Sequence, residues 1–161
     1  EEDNEEIRDE IEEGVNMYNL SKRSLDTMVG VHPDIVKVIK ASINDSPYDF
    51  MITQGLRTAK YQNELYQQGR TKRGLKVTNA DGYIKKSNHQ MKVDGFGYAI
   101  DFVVMNGKAL DWDTESKYEA VARYILATGH KLGVNLEWGG DWKFEDNPHI
   151  QLLGADKIRF K

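Results

Sequence analysis

Apolar residues recur along this chain at two different spacings, and the change from one to the other marks out the elements. Ile35, Val38, Ile39 and Ile43 share one helical face behind His32-Pro33, with the proline in the first turn, which predicts a packing helix. After the turn at Ser46-Pro47-Tyr48-Asp49, Phe50 to Gln54 carries β-branched and aromatic residues and reads as a strand ended by Gly55. Thr58 is placed to cap a helix with Tyr61, Leu65 and Gln68 along one face and Gly69 as its stop. Gly97 to Met105 is a nearly continuous apolar run. Asn106-Gly107 then turns the chain into a helix that begins after Thr114 and buries Tyr118, Val121, Ala122, Ile125 and Leu126. Val134 to Trp138 and His149 to Leu152 are the last strands, separated by the Gly139-Gly140 bend and the aromatic stretch Asp141 to Phe144. Near the start, Ser21 to Leu25 reads as a connector from which Leu25, Met28 and Val29 reach the core. Residues 1–20 form an acidic extension, a short helix with Ile7, Ile11 and Val15 on one stripe, and residues 21–161 a single domain.

One acid interrupts the most apolar of these runs. Asp101 lies amid Tyr98, Ile100, Phe102 and Val103, where a carboxylate carries a large desolvation cost unless it is paired or metal-bound. On that window alone it is either a satisfied core aspartate or a ligand. Ahead of it stands Ser87-Asn88-His89, and far along the chain Asp146-Asn147-Pro148-His149 opens another apolar run. His89, Asp101 and His149 would hold a Zn²⁺ through three protein atoms and leave a fourth position open, which is the catalytic rather than the structural arrangement. The chain has no cysteine, so thiolate ligation, a cysteine nucleophile and a disulfide scaffold are excluded and metal ligands must be His, Asp or Glu. Asp146 is left over as the general base, with Glu145 as its rival. His32, before a helix, and His130, near a helix C-terminus, are not expected to be ligands.

The pieces Gln54-Gly55-Leu56-Arg57-Thr58, Gln62 to Arg70, Val77-Thr78-Asn79-Ala80, Ser87-Asn88-His89, Gly97-Tyr98-Ala99-Ile100-Asp101, Trp138-Gly139-Gly140-Asp141-Trp142 and Asp146-Asn147-Pro148-His149 occur in this order between residues 33 and 153. Together they resemble the zinc D-Ala-D-Ala carboxypeptidase and dipeptidase group, and within it the phage and bacterial L-alanyl-D-glutamate endopeptidases that cut peptidoglycan stem peptides. The resemblance implies an α+β fold, a small antiparallel sheet with helices packed on it, of the zinc D-Ala-D-Ala peptidase (hedgehog-like) type. It implies hydrolysis of the L-Ala-D-Glu bond, with zinc on His89, Asp101 and His149 and with Asp146 as base. It also gives Arg57, which alone would read as a surface arginine, the task of polarising the scissile carbonyl or holding a substrate oxygen. Gln54, Ser87 and Asn88 become candidates for substrate contact. This chain separates His89 from Asp101 by twelve residues, more than the family does, so Lys92 to Phe96 look inserted and Asp94 competes for the ligand role. Asp101 is preferred because its apolar flanks match the family's strand. The alternatives are a D-Ala-D-Ala carboxypeptidase or dipeptidase, or a non-catalytic wall-binding domain of this fold.

Composition bounds the partners. With 161 residues, 39% apolar and 30% charged, the chain makes one domain of ordinary size, with no room expected for a separate wall-binding module. Residues 1–13 hold nine acids and one arginine, so a net charge of −4 overall leaves the remainder mildly basic, which suits an anionic wall. No basic and aromatic patch of the kind nucleic acid needs is present, and no apolar run approaches the roughly 20 residues of a membrane span. A monomer is expected, acting on peptidoglycan. If phage-encoded, it would reside in the host cytoplasm before release to the wall; otherwise it would be secreted or wall-associated. The sequence does not begin with Met, which leaves room for a segment upstream and for an export signal in it.

Overall fold

The computed structural model describes residues 18–161, so the stripe expected on Ile7, Ile11 and Val15 lies outside the described residues. Five strands, β1 (Phe50–Gln54), β2 (Ala99–Asn106), β3 (Ala109–Asp111), β4 (Leu136–Trp138) and β5 (His149–Leu152), form one antiparallel sheet. Its order is β1-β2-β5-β4, with β3 hairpinned onto the end of β2. Among the described residues four α-helices accompany it: α1 (Lys22–Thr27), α2 (Pro33–Ser42), α3 (Ala59–Gln67) and α4 (Glu115–Lys131). The α+β class with a small antiparallel sheet is therefore observed. No helix among the described residues is long and apolar enough to cross a membrane.

Strand alternation divides the sheet into two faces with different tasks. Phe50 and Ile52 of β1, Ile100, Phe102 and Val104 of β2, Leu136 and Trp138 of β4 and Ile150 of β5 enter the core. They meet Ile35, Val38 and Ile39 of α2 and Tyr118, Val121, Ala122 and Ile125 of α4. Asp101, Glu137, His149 and Gln151 occupy the alternate positions and line a cleft on the other face; Gln54, in phase with Ile52, joins them because the register of β1 shifts between Ile52 and Gln54. Register fixes their proximity, because Asp101 pairs with both Gln54 and His149 while Gln151 pairs with Glu137.

Two local expectations change. Ser21 to Leu25 is not a bare connector: the Ser21 hydroxyl accepts from Ser24 N at 3.0 Å and caps α1. Of the three residues expected to reach the core from here, only Met28 is buried, at 3% exposure, while Leu25 and Val29 are exposed. On α3, Tyr61, Leu65 and Gln68 share one face as expected; that face lines the cleft, and the buried side chain is Gln62. Finally, β3 was not expected. A two-residue turn at Gly107-Lys108, with Gly107 at φ +64°, returns the chain so that Ala109 pairs with Asn106.

β1 is an edge strand, and the amide of Ile52 on its outer side is satisfied by Ser24, whose hydroxyl accepts it at 3.0 Å. Ser24 has no exposed surface, so its loss would strand a buried donor. Ser24→Ala is expected to lower stability by about 1 to 3 kcal/mol. Chemical denaturation checks this, and an unchanged midpoint would contradict the assignment.

Candidate active site

Each side chain of the cleft is held by an element the sequence specifies. His89 follows a tight turn in which Gln90 Oε1 accepts from Ser87 N at 2.9 Å and Ser87 Oγ accepts from His89 N at 3.2 Å. Its ring is buried, and Nδ1 lies 2.9 Å from the carbonyl of Gly55. A carbonyl can only accept, so Nδ1 carries a proton and Nε2 is the nitrogen that faces Asp101 Oδ1, at 3.3 Å. His149, opposite Asp101 on β5, approaches the same oxygen with Nδ1 at 3.2 Å. One ligand atom from each of His89, Asp101 and His149 lies within 4.8 Å of the others. Two imidazole nitrogens and one carboxylate oxygen, two of the residues buried and the third half-buried, are a donor set that fits Zn²⁺ with a coordination position to spare.

Asp94, the competing acid, sits elsewhere. Its carboxylate accepts from Phe96 N at 3.2 Å and from the Tyr98 hydroxyl, and lies 4.0 Å from His32 Nε2. The Tyr98 hydroxyl is pushed up to about 12 by burial and by this carboxylate. The geometry thus joins Asp101, not Asp94, to the two histidines. His32 caps α2, its Nδ1 accepting from Asp34 N at 3.1 Å, and His130 is exposed.

Arg57 lies just past β1, tied to the His89 turn by a bond from its amide to the His89 carbonyl at 2.9 Å. Its guanidinium donates to Asp101 Oδ2 at 3.0 Å, Gln62 Oε1 at 3.1 Å and Gln54 Oε1 at 3.1 Å. Three of five N–H donors are engaged, and the residue still lines the cleft. Asp146 lies at the cleft mouth, half exposed, with Oδ2 3.9 Å from His149 Nδ1. Glu145 is exposed and does not line the cleft. Ser87 and Asn88 do line it; Asn88 Nδ2 donates to Gln151 Oε1 at 3.1 Å and to Asp156 Oδ1 at 2.8 Å.

The charges act on one another. Burial alone would raise the Asp101 carboxyl, but His89 and His149, by charge and hydrogen bond, hold it well below the usual carboxylate range. Burial pushes His89 down despite Asp101, whereas for His149 the bond and charge of Asp101 overcome burial and raise it. Asp146 is raised by desolvation and then by the nearby Asp101 charge, partly offset by His149.

A family model described as phage L-alanyl-D-glutamate peptidase matches residues 16–153. The chain belongs to this family. Among curated relatives, the peptidoglycan L-alanyl-D-glutamate endopeptidase CwlK of Bacillus subtilis is 37% identical over 131 residues, which cover 76% of this chain and 74% of that one. The L-alanyl-D-glutamate peptidase of Escherichia phage T5 is 28% identical over 136 residues, 84% of this chain and 89% of that protein. Among solved structures, the Serratia marcescens L-Ala D-Glu endopeptidase ChiX aligns with a TM-score of 0.67 at 29% identity, covering 86% of this chain and 92% of its own.

For a member of this family, the cleft also holds residues that motif reading passed over. Gln62 links Arg57 to the cleft loop, its Nε2 donating to Ala80 O at 3.1 Å and Thr78 Oγ1 at 3.2 Å. Gln151 accepts from His149 Nε2 at 2.7 Å and donates to Glu137, and the Trp142 ring lies 5.1 Å from that of His149. Period-two alternation from His149 was the signal for Gln151, and the flanks of Glu137, Leu136 and Trp138, were the signal for Glu137. Gly139 positions Asp146: its carbonyl accepts from Asp146 N at 2.9 Å, and a Cβ there would overlap the Asp146 carbonyl oxygen. Gly139→Ala is therefore expected to displace Asp146 and lower kcat while zinc stoichiometry stays at that of the wild type. Kinetics paired with metal analysis test this; wild-type kcat would show that the close approach does not position the acid.

Proposed function

We propose that this protein is a zinc-dependent peptidase that hydrolyses the L-Ala-D-Glu bond of peptidoglycan stem peptides. The observation that carries the reading is the convergence of His89, Asp101 and His149 on one point of a cleft of about 940 Å³ that Asp146 and Arg57 also line. His89 Nε2, His149 Nδ1 and an Asp101 oxygen are the atoms that would hold the metal. Bound there, zinc supplies Lewis acidity, which polarises the scissile carbonyl and acidifies a water.

The protein's own groups do the rest. Asp146, close to His149 but outside the ligand set, takes the proton of the attacking water and returns it to the nitrogen of the leaving D-glutamate. Its carboxyl is raised in the metal-free protein by burial and by the Asp101 charge. Arg57 directs its unengaged N–H donors at the oxygen on which charge develops, while its bond to Asp101 holds the guanidinium in place. Ser87 Oγ accepts from His89 N and keeps its hydroxyl hydrogen for substrate, whereas Gln54 and Asn88 are committed to Arg57 and Gln151 and shape the wall. The leaving residue carries a carboxylate, and Lys85 and Lys86 line the cleft with no acid within ion-pair distance among the described residues. Such a chain works at the cell wall, reached from the host cytoplasm if a phage encodes it, and as a monomer.

Mass spectrometry of muropeptides released from purified wall tests the reaction: new N-terminal D-glutamate supports it, while loss of terminal D-alanine alone, or binding without cleavage, would sink it. Asp146→Asn is expected to keep zinc and fold yet lose most of the turnover, with Glu145→Gln close to wild type. The reverse pattern would move the base to Glu145. Arg57→Lys should lower kcat and kcat/KM together, because a point charge on a flexible stem replaces a planar fork. A raised KM with kcat kept would restrict Arg57 to substrate grip.

A further inference from the structure

Lys92 has no exposed surface, yet nothing in the proposed hydrolysis uses it. Its ammonium donates to Asn88 Oδ1 at 2.7 Å, Ala155 O at 3.0 Å and Ile158 O at 3.2 Å, which occupies all three hydrogens. The Phe160 ring lies 3.7 Å from the nitrogen. Two segments meet here. One is the turn Lys92 to Phe96, where the spacing between His89 and Asp101 exceeds the family's. The other follows residue 153, where the family match stops. Backbone bonds join them as well, Val93 N to Arg159 O at 2.8 Å and Lys161 N to Met91 O at 3.1 Å.

The bonds leading away from Lys92 have a fixed direction. An ammonium only donates, so Asn88 must offer it Oδ1, which turns Nδ2 toward Gln151 Oε1 and Asp156 Oδ1. At the far end, the Glu137 carboxylate accepts from Gln151 Nε2, which turns Gln151 Oε1 back toward Asn88 and His149. His149 can join this chain only as a donor. Its Nε2 then carries a proton, which leaves Nδ1, 3.2 Å from Asp101 Oδ1, as the nitrogen available to zinc.

The geometry points to Lys92 as a positioning residue for His149, acting through Asn88 and Gln151 to set which imidazole nitrogen is offered to zinc. This rests on the zinc reading above and adds to it a support built partly from residues outside the family match. The hydrogen-bond partners of metal-binding histidines typically contribute 10- to 100-fold in metal affinity, and Lys92 acts on one of them from a step further out.

Zinc titrated against a chelator into metal-free wild type, Lys92→Met, Asn88→Ala and the double variant tests the proposal, with the His149 ring nitrogens followed by NMR in the zinc form. Wild type is expected to coordinate through Nδ1 with the proton on Nε2. Each single variant should bind zinc about tenfold more weakly, and the double variant no more weakly than either, because both changes cut one chain. A Lys92 that only fastens the two segments together would lower the melting temperature and leave zinc affinity and ring-nitrogen signals unchanged, or give losses that add; either result overturns the proposal. Should Lys92→Met fail to fold, coordination through Nε2 in wild type, or unchanged zinc binding in Asn88→Ala, overturns it equally. Absence of zinc uptake by wild type would end the zinc reading itself, a result distinct from all of these.

Discussion

A carboxylate set in the middle of the most apolar strand dictates what surrounds it. An ionised Asp101 away from bulk water is tolerable only with charge and hydrogen bonds close by, and it has Arg57 at 3.0 Å, His149 at 3.2 Å and His89 at 3.3 Å. Bringing four such groups together requires β2 to lie between β1 and β5 in one register. It also requires the His89 turn to be fastened to the residues that follow β1, which the bonds from His89 to Gly55 O and from Arg57 N to His89 O provide. The site and the centre of the sheet are therefore one construction. Removing any partner leaves a poorly compensated charge as well as a missing functional group, so activity and stability are coupled at these positions.

The helices show how the same sheet serves two ends. α2 and α4 cover one face with aliphatic side chains and Tyr118, and that face has no catalytic group. The opposite face carries polar residues at alternate positions and is left open as the cleft. The tolerance of that face for Glu137, Gln151 and His149 comes from their bonding to one another, which keeps buried polar atoms satisfied.

What could be read from the sequence follows from how local each signal is. α2, α4, β1, β2 and β5 announce themselves through periodic apolar residues; Asp101 and His149 stand out because they interrupt or open those runs, while His89, in a polar turn, stands out only through the Ser87-Asn88-His89 motif. Short elements do not: α1 spans six residues and β3 three, too few to establish a period. The shared face of Tyr61, Leu65 and Gln68 on α3 was legible, but what it faces was not, because the cleft itself is partly apolar and takes them. Among the amide partners, Gln151 is marked only by its alternation from His149, and Gln62 carries no signal of its own, since it matters only through what it faces in three dimensions. Lys92 is the extreme case, an ordinary surface residue type made internal by a segment more than sixty positions away.

α3 contributes no aliphatic side chain to the hydrophobic core; its buried anchor is a hydrogen-bonded amide. The wall it forms is thus separate from the apolar packing that holds the domain together. Substitutions along Tyr61, Leu65 and Gln68 can widen, narrow or recharge the cleft without opening a void beneath α2 and α4. A lineage meeting walls of different cross-link chemistry could retune its reach at this helix while the melting behaviour of the molecule stays nearly constant.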